Sequence, residues 1–171
     1  MVQIPILGFV AHSGTGKTTL LLKIIPLLKA KGLRIGLIKH THHQFDIDHP
    51  GKDSYRLRHA GAAQTLVASR KRWALMVEMG DEFDEPSLEQ VLSHLDKNQL
   101  DLILVEGFKH ECFPKIEVHR PSLNHPLFFR QDDSIIAIAC DEPSAVPTHL
   151  PILDINQPEQ VVAFIVQRIL V

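Results

Sequence analysis

Eight residues, Ala11-His12-Ser13-Gly14-Thr15-Gly16-Lys17-Thr18, stand between an apolar run and an amphipathic helical pattern, and no other segment restricts the fold as much. They follow the phosphate-loop pattern G-x-x-x-x-G-K-[ST], with Ala11 in place of the first glycine. Each residue type has a physical reason. Gly14 and Gly16 permit backbone angles and a close approach that a side chain would block. Successive backbone N–H groups then turn inward as an anion nest. A helix opening at Lys17 adds the positive end of its dipole. Lys17 would reach the β- and γ-phosphates of a nucleotide, and the Thr18 hydroxyl would ligate magnesium. The plain alternative is a glycine-rich turn between strand and helix; the flanking strand and helix favour the phosphate site.

The rest of the chain alternates apolar runs with helical periodicity, which predicts an α/β fold of the P-loop NTPase type, a largely parallel sheet flanked by helices. Strands are expected over residues 3–10, 33–39, 64–69, 73–78, 100–106, 115–119, 135–140 and 152–155. Helices are expected over 17–31, with Pro26 inside, 53–60, 86–95 and 157–171. Asp53 is expected to cap the second helix, and Asn156 with Glu159 to form a capping-box spacing for the last. Residues 120–134 are rich in turn formers and read as a surface loop. With 171 residues, the expectation is a single P-loop domain over residues 1–171.

A formal charge of −2 offers no global attraction for nucleic acid or an acidic membrane, so any anion site must be local. The basic turn Arg70-Lys71-Arg72 beside Trp73 reads as a solvated hairpin tip rather than a nucleic-acid patch. Two cysteines, Cys112 and Cys140, make neither a disulfide framework nor a metal-ligand spacing and read as small apolar side chains. They suit a reducing, cytoplasmic setting. No apolar run approaches the roughly 20 residues that span a bilayer.

A phosphate loop needs a carboxylate for the magnesium shell. Leu102-Ile103-Leu104-Val105-Glu106-Gly107 is an apolar strand ending in an acid, and ligands gather at the carboxyl ends of such strands, so Glu106 should come near Thr18. The segment from Lys39 to Asp48 also leaves a strand at its carboxyl end. Its histidines, His40, His42 and His43, suit nucleotide contact, a solvated loop or, with no cysteine partners, a metal. Asp46 and Asp48 suit either the magnesium shell through water or turn capping. Asp141, at the end of a late strand, can accept hydrogen bonds from the guanine N1 and N2 groups, which adenine cannot donate; a turn role before Glu142-Pro143 stays open.

Four segments occur in order: Ser13 to Leu20, Leu37-Ile38-Lys39-His40-Thr41-His42-His43, Gly51-Lys52-Asp53-Ser54 with Ala60-Gly61-Ala62, and Asp101 to Lys109. Together they resemble the molybdopterin-guanine dinucleotide biosynthesis protein B family, MobB. The likeness spans nearly the whole chain and is weakest over residues 120–134. It implies a dimeric P-loop protein that binds GTP with Mg2+, hydrolyses it weakly, and assists the guanylyltransferase that joins GMP to molybdopterin. Carried residue by residue, it assigns Gly14, Thr15, Gly16, Lys17, Thr18 and Thr19 to the nucleotide and Thr18 and Glu106 to magnesium. The residue-level rivals are a small-molecule kinase, using Asp46, Lys52 or Arg58 to position an acceptor, and a metal-delivery GTPase using the histidines.

Overall fold

The computed structural model describes residues 4–41, 45–80 and 85–170. The expected strand start at Gln3, His42 and His43 of the histidine segment, and the expected helix end at Val171 lie outside the described residues. The chain forms two compact units: residues 1–40 with 87–171, and residues 41–86.

The larger unit is built on strands β1 (Ile6–Val10) and β2 (Ile35–Lys39), with helix α1 (Lys17–Ala30) between them. The smaller unit contributes α2 (Asp53–His59) and strands β3 (Gln64–Ala68) and β4 (Trp73–Val77). The chain then returns to the larger unit with α3 (Leu88–Leu92), β5 (Leu102–Glu106), β6 (Lys115–His119), β7 (Ile135–Cys140), β8 (Ile152–Asp154) and α4 (Pro158–Arg168). Its six strands lie in the order β2-β5-β1-β6-β7-β8, and every neighbouring pair is parallel. All strands therefore present their carboxyl ends to one edge.

The two-residue period of a strand explains how this sheet serves two cores. On β5, Leu102 and Leu104 join the cluster formed by α1 and α4, with Leu20, Ile24, Leu28, Val161 and Ile165. Ile103 and Val105 point the other way and pack with Leu88 and Leu92 of α3. All five β5 residues are buried, as an apolar strand between two helical layers must be.

On β6 the same period separates chemistry rather than two apolar faces. Ile116 and Val118 join the α1–α4 core, while Lys115, Glu117 and His119 occupy the opposite face and are buried there. Buried polar groups need partners. Residues 120–134 supply them for Lys115 and Glu117: the segment is the expected surface loop, with none of its residues buried, and it is anchored to the sheet from beneath. Lys115 Nζ donates to Asp132 at 2.9 Å and to Ser134 at 2.7 Å. The Glu117 carboxylate accepts the backbone N–H groups of Phe128 and Phe129, both at 2.9 Å.

In the smaller unit, β3 and β4 form an antiparallel hairpin whose tip carries the basic turn. Leu66, Trp73, Leu75 and Val77 share one face by register and are all exposed. Helix capping differs from the sequence expectation at two places. Lys52 is the N-cap of α2 and Asp53 lies inside its first turn. Before α4, Pro158 takes the first helical position and Asp154 accepts the N–H of Asn156 at 2.8 Å, so no Asn156–Glu159 box forms. A full capping box does form at α3, between Ser87 and Gln90. Among the described residues no helix is long and apolar enough to cross a membrane. Cys140 is buried, whereas Cys112 is exposed.

Candidate functional site

The Ala11–Thr18 segment joins the carboxyl end of β1 to the first turn of α1, at the middle of the six-strand edge. Gly14 (φ 77°) and Gly16 (φ 99°) both take left-handed backbone angles, so the two glycines stand where the turn needs them. Gly16 is also the N-cap of α1, with no side-chain cap on the helix end. Thr15 is buried, and its hydroxyl donates to the carbonyl of His12 at 2.7 Å, which closes the loop on itself.

On one side of β1 lies β5, with Phe9 in register with Glu106. Glu106 is almost fully buried and gathers three groups. Thr18 Oγ1 donates to its Oε1 at 3.4 Å, Lys17 Nζ stands 3.7 Å from Oε1, and Lys39 Nζ from β2 stands 3.8 Å from Oε2. The expected approach of Glu106 to Thr18 is thus present; Lys17 joins it, and so does Lys39 through the register of β2 with β5. The chain leaves β5 through Gly107 (φ 104°), where a Cβ would fall 2.6 Å from the Cβ of His40. Phe108 follows at φ 51°, and its ring lies against that of His40 in a tilted contact, centroids 4.5 Å apart. The His40 N–H donates to the Glu106 carbonyl at 2.8 Å, so the exits of β2 and β5 are fastened together.

On the other side lie β6 and β7. Arg120 follows β6 and Asp141 follows β7, one residue beyond the His119–Cys140 register pair. Arg120 Nε donates to the Thr15 carbonyl at 2.9 Å, and its Nη1 forms a close ion pair with Asp141 Oδ2. Asp141 thus reaches the glycine loop through Arg120. His12 of the loop is stacked between His125 (4.5 Å) and Phe128 (4.3 Å), and its Nε2 lies 3.0 Å from the Pro126 carbonyl. Burial holds the Glu117 carboxyl above its ordinary pKa, against the two N–H groups it accepts. Burial, followed by nearby His12, holds the His119 imidazole below its own, although Asp141 pulls the other way. The signal for this assembly was the Lys115-Ile116-Glu117-Val118-His119 alternation: a polar face on a central strand demands a cover.

Within the smaller unit, Arg58 is clamped by Asp46 and by Glu78, the latter at 2.8 Å. Asp48 accepts the N–H of His49 at 2.9 Å. No group of three or more histidine, cysteine or acidic side chains among the described residues is placed to hold a metal.

Residues 6–141 match the family model for molybdopterin guanine dinucleotide synthesis protein B, MobB. The chain belongs to the MobB family. It is 55% identical over 166 residues to the molybdopterin-guanine dinucleotide biosynthesis adapter protein of Escherichia coli (strain K12), covering 96% of this chain and 93% of the relative. The Haemophilus influenzae adapter protein is 43% identical over 163 residues, covering 95% and 88%. A crystal structure of molybdopterin-guanine biosynthesis protein B superposes with a TM-score of 0.71 at 27% identity, over 95% of this chain and 98% of the other. The MobB match ends at Asp141, so it takes in the glycine loop, Glu106, residues 120–134 and the Arg120–Asp141 pair.

Proposed function

We propose that this MobB-family chain binds Mg-GTP at the Gly14–Thr19 segment and acts as an adapter for the guanylyltransferase that joins GMP to molybdopterin. The observation that carries the reading is the cluster of Lys17, Thr18 and Glu106 beneath a loop with two left-handed glycines. A free helix N-terminus and an ammonium group suit a triphosphate. A hydroxyl and a carboxylate are the hard oxygen donors that magnesium takes, with water completing its shell. Thr18 and Glu106 would hold that ion, which would neutralise phosphate charge. Hydrolysis is slow in this reading. The cations beside Glu106 are lysines, and Arg120 lies across β1 from them, so among the described residues no arginine pairs with the Thr18–Glu106 side where a transferring phosphoryl group would develop charge.

The partner follows from the relatives, which carry adapter names. The exposed apolar face of the β3–β4 hairpin supports a homodimer, since a two-stranded ribbon is marginal until that face is covered. Two free cysteines accord with a cytoplasmic setting. The kinase rival asks Asp46, Lys52 or Arg58 to position an acceptor, but Arg58 is already engaged by Asp46 and Glu78, which takes two of the three.

The test is calorimetric titration with GTP and ATP, with and without Mg2+. Mg-GTP should bind best. Lys17→Ala should weaken it about 100-fold or more, through loss of charge-assisted hydrogen bonds of about 1.5–3 kcal/mol each, with an unchanged melting temperature. Unaltered affinity in that variant sinks the phosphate-site assignment.

A further inference from the structure

The carboxyl edge has two sides. Glu106 and Thr18 occupy the β5 side of β1, where the magnesium and terminal phosphates belong in the reading above. A nucleotide lying along this edge therefore sends its base toward β6 and β7. Two acids end strands there, Asp141 after β7 and Asp154 at the end of β8. Asp154 is engaged at both oxygens, by the Asn156 N–H at 2.8 Å and by Gln157 Nε2 at 3.0 Å. Asp141 is not. Arg120 takes its Oδ2, but its Oδ1 is buried with no partner among the described residues. A buried acceptor without a donor is costly, so the side chain is poised for a ligand that brings donors. The side chain as a whole keeps 19% exposure, so the carboxyl lies at the margin of the site with Oδ1 turned inward.

Arg120 supplies the opposite chemistry. Its Nε is fixed on the Thr15 carbonyl and Nη1 on Asp141, which leaves Nη2 facing Gly16, 3.6 Å from where a Cβ would stand. The side chain is 35% exposed. A guanidinium and a carboxylate are thus held side by side, one against the glycine loop and the other next to it.

We propose that Arg120 and Asp141 act as one guanine-reading pair, the arginine donating to O6 and the carboxylate accepting from N1–H and the 2-amino group. Adenine presents an amino group where the arginine donates and a lone pair where the carboxylate accepts, so both meetings are repulsive. The inference rests on the phosphate-loop reading and deepens it. It also makes Arg120 a coupling element, because the same guanidinium holds the phosphate loop through Thr15.

The experiment is a titration of the full chain and of Asp141→Asn and Arg120→Ala with the Mg2+ complexes of GTP, xanthosine triphosphate and 6-thio-GTP, and with inorganic tripolyphosphate. Xanthine carries a carbonyl where guanine has its 2-amino group, so an amide at position 141 can donate to it. The unchanged chain should favour GTP over xanthosine triphosphate by about tenfold or more, and Asp141→Asn should reverse that order. Sulfur is a poor acceptor, so 6-thio-GTP should bind the unchanged chain less well than GTP, and Arg120→Ala should remove the difference. These are ratios, insensitive to losses common to all nucleotides. A GTP to xanthosine triphosphate ratio unmoved by Asp141→Asn, with tripolyphosphate still bound, overturns the base-reading pair alone. Failure of the unchanged chain to bind tripolyphosphate or any nucleotide overturns the phosphate site and this inference with it.

Discussion

The two sides of β1 solve one problem by different means. On the β5 side, Thr18, Lys17 and Lys39 converge on Glu106, and each belongs to a strand end or a helix start. On the β6 side, Arg120, His125 and Phe128 reach the glycine loop from the connection between β6 and β7. That segment holds only two short 3-10 turns, Pro121–Leu123 and Phe128–Arg130, and is fixed from below by Lys115 and Glu117. The difference teaches that a rigid loop wall can be built either from strand registers or from buried polar anchors.

Removing one anchor on each side tests this contrast. The largest effect is expected at Glu106→Gln, which removes the carboxylate from the β5 side. The gain in GTP affinity on adding Mg2+ should fall about tenfold or more, read by paired titrations, since one charge-assisted contact is worth about 1.5–3 kcal/mol. A full magnesium response in this variant would break the claim that the β5 side is the metal side. Next, Glu117→Ala leaves the N–H groups of Phe128 and Phe129 without their acceptor. Urea unfolding should register a loss of about 1–3 kcal/mol, with the magnesium response intact. An equally stable variant would show that residues 120–134 do not hang on this anchor.

A smaller effect is expected at His12→Ala, which empties the stack between His125 and Phe128. About 0.5–1.5 kcal/mol should be lost, and amide exchange should accelerate at residues 125–129 more than in α1. Uniform exchange rates would argue that the stack does not hold the segment to the loop.

The smallest effect lies at the amino edge of the sheet, where Arg34 donates to both oxygens of Asp101. The Arg34 hydrogen bonds lower the Asp101 pKa to about 2. A depressed carboxyl stabilises the fold above its ordinary pKa, and that contribution disappears as pH falls through about 2. Asp101→Asn should therefore melt slightly lower near neutrality and show a shallower decline between about pH 4 and 2. Parallel melting profiles would remove this pair from the acid response. This exposed pair serves as the baseline for what an ion pair outside the site contributes.

The glycine loop and Glu106 were legible because their chemistry is written in contiguous residues. Gly14, Gly16, Lys17 and Thr18 lie within one turn, and Glu106 ends an apolar run whose burial on both faces requires a central strand. The parallel sheet rule then places both at one edge. The strands of the hairpin were legible too, from alternation and a basic turn. Its membership in a separate unit was not, because alternation says which residues share a face and nothing about what covers it.

The sequence by itself therefore determined the strand and helix elements, the left-handed glycines and the acid at the end of β5, all of them properties of short stretches with strong local physics. Only the tertiary structure decided the β6 side. Placing β6 directly beside β1 brings Glu117 into register with Val10, and that adjacency sets Arg120, His125 and Phe128 against a loop more than one hundred residues away in the chain. Strand order is a global choice, fixed by how six strands and their helices bury together, and no window of sequence contains it.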